Sequence, residues 1–346
     1  MYAAVALIYL VAAGAYAQNC PSQETIFNTL SHNCASDATQ VGTMRYKDGN
    51  LQVCDGKGYN NLGDGVSYLP PLGGKENPGK SCGDILNKRM DAKSGVYFIK
   101  PRDAVIKVYC YMKSMCGSKG WAMVMKIDGN NKTFRYDSAL WSNKEAFNPS
   151  GADGGLDKVE TKLTTYSEFP MSKLCTGWNT NGDTRWGLVN YDSASLYGLI
   201  ADGKYRTMSQ ERKFWKAMVP VSSLQNHCNS EGFIVFSGGN GGKARIGIIS
   251  NNELDCGSPD SRLGLGTMGS SCGMNNDNSA GNEARCDQLD NGEKSIKSFG
   301  YIFAQERLAD APLGSFDEPA TPCKAIVAAR PIRLDKIHHI ERMRWS

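Results

Sequence analysis

The sequence predicts an α+β fold: several antiparallel strands and short helices separated by long, disulfide-stapled loops. Three observations lead there. Compact runs of β-forming residues recur along the chain. The amphipathic segments between them are long enough for short helices only. Twelve cysteines are spread through a chain of 346 residues, an even count that in an exported chain argues for six disulfides. That length allows one large domain with accessory segments, or two domains.

Residues 1–17 are an apolar run ending Ala15, Tyr16, Ala17, a small-x-small cleavage signal. The run is too short for a membrane span and reads as a secretory signal peptide. No other stretch approaches the roughly 18 consecutive apolar residues that a spanning helix needs, so no transmembrane segment is expected. Residues 18–79 form a cysteine-containing N-terminal region and linker, holding Cys20, Cys34 and Cys54 among many Asn, Gly, Ser and Asp residues. Residues 44–56 read as a hairpin, with Asp48-Gly49 making the tight turn between two alternating runs. Residues 70–78, rich in Pro and Gly, are linker-like and place a domain boundary near residue 79.

The best-defined stretch is residues 80–129. A cysteine, Cys82, opens a short amphipathic helix, which Ser94-Gly95 ends. Val96, Tyr97, Phe98 and Ile99 are a run of β-formers, and residues 105–109 alternate apolar and polar as a half-buried strand does. Residues 100–103, Lys-Pro-Arg-Asp, are turn chemistry between them. A Cys82–Cys110 bridge would tie the helix to the second strand. After Gly120-Trp121 comes another apolar strand, residues 122–127. Asn131-Lys132-Thr133 is an N-glycosylation acceptor in a turn.

Cys82, Ser94-Gly95-Val96-Tyr97, the strand ending Val108-Tyr109-Cys110-Tyr111-Met112, and Gly120-Trp121 together resemble the opening of the fibrinogen C-terminal-like domain. The lead-in, residues 76–82, is also similar to the start of fibrillar-collagen C-propeptides. Later segments, Ser193-Ala194-Ser195-Leu196-Tyr197-Gly198-Leu199-Ile200-Ala201-Asp202-Gly203 and Ala244-Arg245-Ile246-Gly247-Ile248-Ile249, resemble divergent secreted proteins of corals and related animals, including those of the coral skeletal organic matrix. The resemblance implies a fibrinogen C-terminal-like domain over residues 80–306. It also implies a calcium site in a late loop, beside a recognition pocket for acetylated sugars or peptide ends.

Further along, Trp141, Phe147 and Tyr166 read as core anchors in polar loops. Residues 193–218 read as one or two short helices, with Ser193 as a cap and Gly203 as a terminator. Residues 232–236 and 244–249 are strands joined by a Gly-rich hairpin turn, and residues 300–305 read as the final strand.

Catalytic motifs find little context. Ser81 and Ser271 both sit in G-x-S-x-G, but neither lies between a strand and a helix, and each neighbours a cysteine expected to be bridged. The four histidines are His32, His227, His338 and His339, so a base is scarce. No CxxC pair supports a zinc site. The sequence therefore reads as non-enzymatic. Calcium takes about six to eight oxygen ligands, and the polar stretch between Cys272 and Cys286 offers Asn275, Asn276, Asp277, Asn278 and Glu283 as candidates. An Asn-rich solvated loop is the other reading of that stretch. A Cys272–Cys286 bridge is expected, since so polar a segment needs a staple.

Residues 307–346 form a basic tail. Residues 324–346 hold six Lys and Arg against two acids, and this accounts for the whole net charge of +4. The body is charge-balanced, which gives no ground for a nucleic-acid partner. Residues 334–345 suit a short amphipathic helix or a frayed end, and Cys323 either reaches back to the body or pairs between chains as a route to oligomers.

The expectation that follows is a secreted, extracellular, non-enzymatic matrix component, fit for the organic matrix of a calcified skeleton. It would bind or scaffold matrix proteins, glycans or mineral, with calcium as its expected ion. The other expectation is a calcium-dependent lectin or pattern-recognition protein of the fibrinogen-related type. Balanced body charge argues against direct mineral nucleation, not against scaffolding.

Overall fold

The computed structural model describes residues 44–47, 50–54, 59–61 and 70–306. The leader, most of the N-terminal region and its Cys20 and Cys34, and the tail with Cys323 lie outside the described residues. The chain divides into two compact units, one of Met1–Tyr68 with Asp310–Ser346 and one of Leu69–Ala309.

In the first unit three antiparallel strands are described, β1 (Met44–Lys47), β2 (Asn50–Cys54) and β3 (Tyr59–Asn61), ordered β1-β2-β3. Lys47 pairs with Asn50, so β1 and β2 form the expected hairpin; Asp48-Gly49 lie outside the described residues.

The second unit is α+β, mostly antiparallel sheet with a few short helices. Residues 70–79, linker-like in sequence, bond to it directly: Phe98 N donates to Gly73 O at 2.8 Å and Lys100 N to Gly79 O at 2.7 Å. Helix α1 (Cys82–Lys88) follows, capped by Ser81, whose Oγ accepts from Asp84 N. Strands β4 (Gly95–Ile99), β5 (Ile106–Tyr111) and β6 (Trp121–Asp128) come next. Gly120 has a φ of +80°, and a side chain there would come within 2.8 Å of Gly83 Cα in α1. The Gly-Trp step therefore places β6 against the helix start as only glycine permits.

Short strand β7 (Thr161–Lys162) pairs with β6. Helix α2 (Thr165–Glu168) follows, then the long hairpin β8 (Met171–Thr180) and β9 (Asp183–Ser193). Helix α3 (Leu196–Ile200) is capped by Ser195 rather than Ser193; Ser195 Oγ accepts from Gly198 N, and Ser193 Oγ donates to Ser195 O. Helix α4 (Glu211–Met218) has no cap of its own. Glu231 supplies one, its Oε1 accepting from Gln210 N and Glu211 N, both at 2.9 Å, while its Oε2 accepts from Trp215 Nε1. This satisfies the orphan N–H groups of a helix start from across the fold.

The remaining strands are β10 (Arg206–Thr207), β11 (His227–Val235), β12 (Lys243–Asn251), β13 (Ser261–Met268), β14 (Ala280–Ala284), β15 (Lys294–Lys297) and β16 (Phe299–Gln305). Strands β10 to β15 form a six-stranded sheet in chain order. The seven-stranded sheet runs β4-β5-β6-β16-β8-β9, with β7 beside β6. Its last strand is threaded into the middle: Phe299 pairs with Asp128 on one side and Asn179 on the other. Central strands β6 and β16 are buried along nearly their whole length, as strands covered on both faces are.

Trp121, Trp141, Trp178 and Trp215 are fully buried. Trp141 and Tyr166, anchors expected from sequence, are fully buried as well, and Phe147 is partly buried against the core. Edge-on ring contacts run from Phe147 to Phe134, Trp141, Tyr166 and Tyr197. Among the described residues, no helix is long and apolar enough to cross a membrane.

Candidate functional site

The stretch between Cys272 and Cys286 is where sequence placed the binding chemistry. The two cysteines are bridged, with Cα atoms 6.2 Å apart. Three further disulfides join Cys82 to Cys110, Cys116 to Cys175 and Cys228 to Cys256. The Cys82–Cys110 bridge ties α1 to β5 as the spacing suggested.

The stretch is not a solvated loop throughout. Its end is strand β14, and Asn278, Asn282 and Glu283 are fully buried. Neighbouring strands satisfy these groups. Glu283 Oε1 accepts from Asn278 Nδ2 at 2.9 Å and Ser295 Oγ at 2.5 Å, and its Oε2 from Asn275 N at 3.1 Å. Asn282 Nδ2 donates to Ser223 O and Arg262 O, and its Oδ1 accepts from Ser223 N. Composition marks such residues as surface; here the partners lie on β13, β15 and the segment before β11.

The five candidate calcium ligands do not converge as an oxygen cage. Asn275 Oδ1 accepts from Asp277 N, and Asn276 Oδ1 from Gly269 N, each at 2.9 Å. Asp277 is paired with Lys132 at 3.1 Å and lies 3.9 Å from Arg135. Of the five, Asn278 leaves a buried oxygen, Oδ1, without a partner, against the roughly six to eight oxygens calcium requires. The guanidinium of Arg262, paired across β13 and β14 with Glu283, further opposes a cation there. The residues present do not fit the ion.

Arg262 is the residue that sequence reading passed over. It lies in β13, fully buried, and donates to Gly269 O at 2.9 Å and Asn275 O at 2.6 Å. Burial pulls its pKa down to about 10, against the upward push of Glu283. A lone Arg inside an apolar strand pattern is the signal that marks it, since a buried cation needs a partner.

The serines of the G-x-S-x-G motifs are used structurally. Ser81 caps α1 and donates to Glu306. Ser271 lies in a 3₁₀ turn, and its Oγ donates to Asp260 Oδ1. Asp260 lies close to Cys272 and Cys286, but both sulfurs are committed to the disulfide and cannot ligate as thiolates. Asn131 is exposed in the turn after β6, its Nδ2 donating to Glu160 Oε2 at 3.1 Å. The Gly-rich segment 236–242 joins β11 to β12 as a hairpin connection.

The chain matches no protein-family model and no curated protein.

Proposed function

We propose that this chain is a secreted, non-enzymatic component of an extracellular matrix that works as a disulfide-stapled scaffold, of the kind found in the organic matrix of a calcified skeleton. The observation that carries the reading is the cysteine pairing. All eight cysteines of the second unit's described residues are bridged. Such pairing persists in oxidising compartments and not in a reducing cytosol. The exposed acceptor Asn131 and the signal-peptide pattern of residues 1–17 agree with export. The antiparallel α+β architecture and the bridged opening of residues 80–129 agree with a fibrinogen C-terminal-like domain, the resemblance that brings in matrix proteins of mineralising animals. Polar residues that sequence offered for chemistry are held in structural bonds, which suits a rigid building block.

The test is expression of the tagged full chain in matrix-depositing animal cells. The expected result is protein in the detergent-insoluble extracellular fraction, with a mass shift lost in Asn131→Gln. Retention inside the cell, or complete recovery as soluble protein in the medium, overturns the scaffold. A glycan array run with calcium and with chelator separates the lectin alternative: calcium-dependent binding to a defined sugar class would replace the scaffold reading with it.

A further inference from the structure

We propose that a polar cavity at one end of the seven-stranded sheet binds an acidic saccharide unit, one that carries a carboxylate or sulfate among its hydroxyls. None of residues 272–286 lines the cavity, although that stretch backs onto it: Ser279 Oγ donates to Asp128 O at 3.0 Å and Asn278 Nδ2 to Ile296 O at 3.0 Å. The site goes beyond the scaffold reading and stands or falls without it.

The cavity opens where β6, β16 and β8 end together. Phe299 begins β16 between Asp128 and Asn179, and the link from β15 and the turn after β8 wall the space beyond. Its volume is about 640 Å³, enough for one or two sugar rings. The lining includes Asp128, Lys158, Asn179, Asn181 and Lys297. Among the described residues, neither Lys158 nor Lys297 forms an ion pair, and Asp128 is the acid in the lining, with Glu160 beside it accepting from Asp128 N at 3.0 Å. Two ammonium groups without carboxylate partners favour an anion.

Amides supply the rest of the chemistry. Asn179 is 8% exposed; its Nδ2 donates to Thr184 Oγ1 at 2.7 Å and its Oδ1 has no partner. A buried acceptor left empty is costly, and a ligand hydroxyl donates where the protein does not. Asp128 Oδ1 accepts from both Asn130 N and Asn130 Nδ2 at 2.9 Å, which leaves Oδ2 to accept a second hydroxyl. Asn130 and Asn181 are exposed and line the cavity, each offering a donor beside an acceptor, the pairing that adjacent ring hydroxyls require. The lining's aromatic residue, Phe299, is 4% exposed, so a nucleobase finds no stacking surface.

The test uses the full chain and a fluorescein-labelled chondroitin sulfate hexasaccharide, followed by anisotropy in the presence of EDTA. Saturable binding is expected, with Lys158→Ala/Lys297→Ala weakening it by about tenfold or more. Both lysines reach the surface, so that variant should keep the native melting temperature. Asn179→Ala should weaken binding as well. Neutralising Lys336, Arg342 and Arg344 in the basic tail should change affinity within about twofold. A hyaluronan hexasaccharide separates the anion sources: equal binding assigns the carboxylate, and weaker binding assigns the sulfate. A neutral dextran oligomer should not bind. No saturable binding, or a lysine variant that binds as the native chain does, overturns the site; in the second case loss of affinity in the tail variant identifies the tail as the binder.

Discussion

Arg262 and Glu283 stand opposite each other on β13 and β14, both fully buried, and the peptide of Asn275 joins them. Asn275 O accepts from the guanidinium at 2.6 Å, and Asn275 N donates to the carboxylate at 3.1 Å. Two opposite charges thus hold one turn of the chain from both ends. Deleting one partner of such a pair leaves the other uncompensated in a low-dielectric interior. Glu283→Ala should therefore lower unfolding free energy by about 3–5 kcal/mol. The Arg262→Met/Glu283→Leu double substitution should cost less than the sum of its singles. Urea titrations of the four proteins in the cycle measure this.

The same geometry predicts the response to calcium. Donors of the protein already fill Glu283, and lysine and arginine hold Asp277. Millimolar calcium should leave the melting temperature within about 1 °C of its value in EDTA, because only a ligand that binds the native state shifts it. A larger rise would mean that the 272–286 region rearranges around the ion.

The disulfides should differ in worth by the loops they close. Cys116–Cys175 spans 59 residues and Cys272–Cys286 spans 14. Chain entropy makes the longer closure worth about 1 kcal/mol more. Paired Cys→Ala variants, compared by denaturant midpoint, should show Cys116→Ala/Cys175→Ala as the less stable.

Glu306 introduces a pH dependence. Its carboxyl accepts from Ser81 Oγ, while Oε2 is buried without a partner. Burial pushes its pKa up, Ser81 pulls it down, and Asp84 pushes it up further. The folded chain thus holds this proton more tightly than the unfolded chain. Its contribution is fully present below the ordinary glutamate pKa and is lost as pH rises through the raised value. Glu306→Gln keeps an acceptor for Ser81 and removes the charge. It should raise the melting temperature at pH 8 and have little effect at pH 4. Equal effects at both would show that the carboxylate is not strained.

Short-range features of the fold were legible in the sequence. The β4–β5 hairpin and its turn, the helix after Cys82, β6 after Gly120-Trp121, the β11–β12 pair and the last strand all carry their own alternation and breakers. The β8–β9 hairpin also carried a signal, Asn181-Gly182 at its turn, but Gly and Trp interrupt the apolar runs beside it. Trp186 lies across Gly177, a packing choice that a period-2 pattern does not reveal.

What the sequence by itself determined is local: which segments extend and where they turn. Only the tertiary structure decided where β16 goes, between β6 and β8, because strand order depends on partners far apart in the chain. It also decided the fate of the polar stretch that sequence offered to calcium. Asn278, Asn282 and Glu283 are hydrophilic in isolation. Inside the sheet their hydrogen bonds go to Asn275, Ser223, Ser295 and neighbouring backbone. Desolvating them is tolerable only because those partners arrive together, and no single segment of the sequence contains them all.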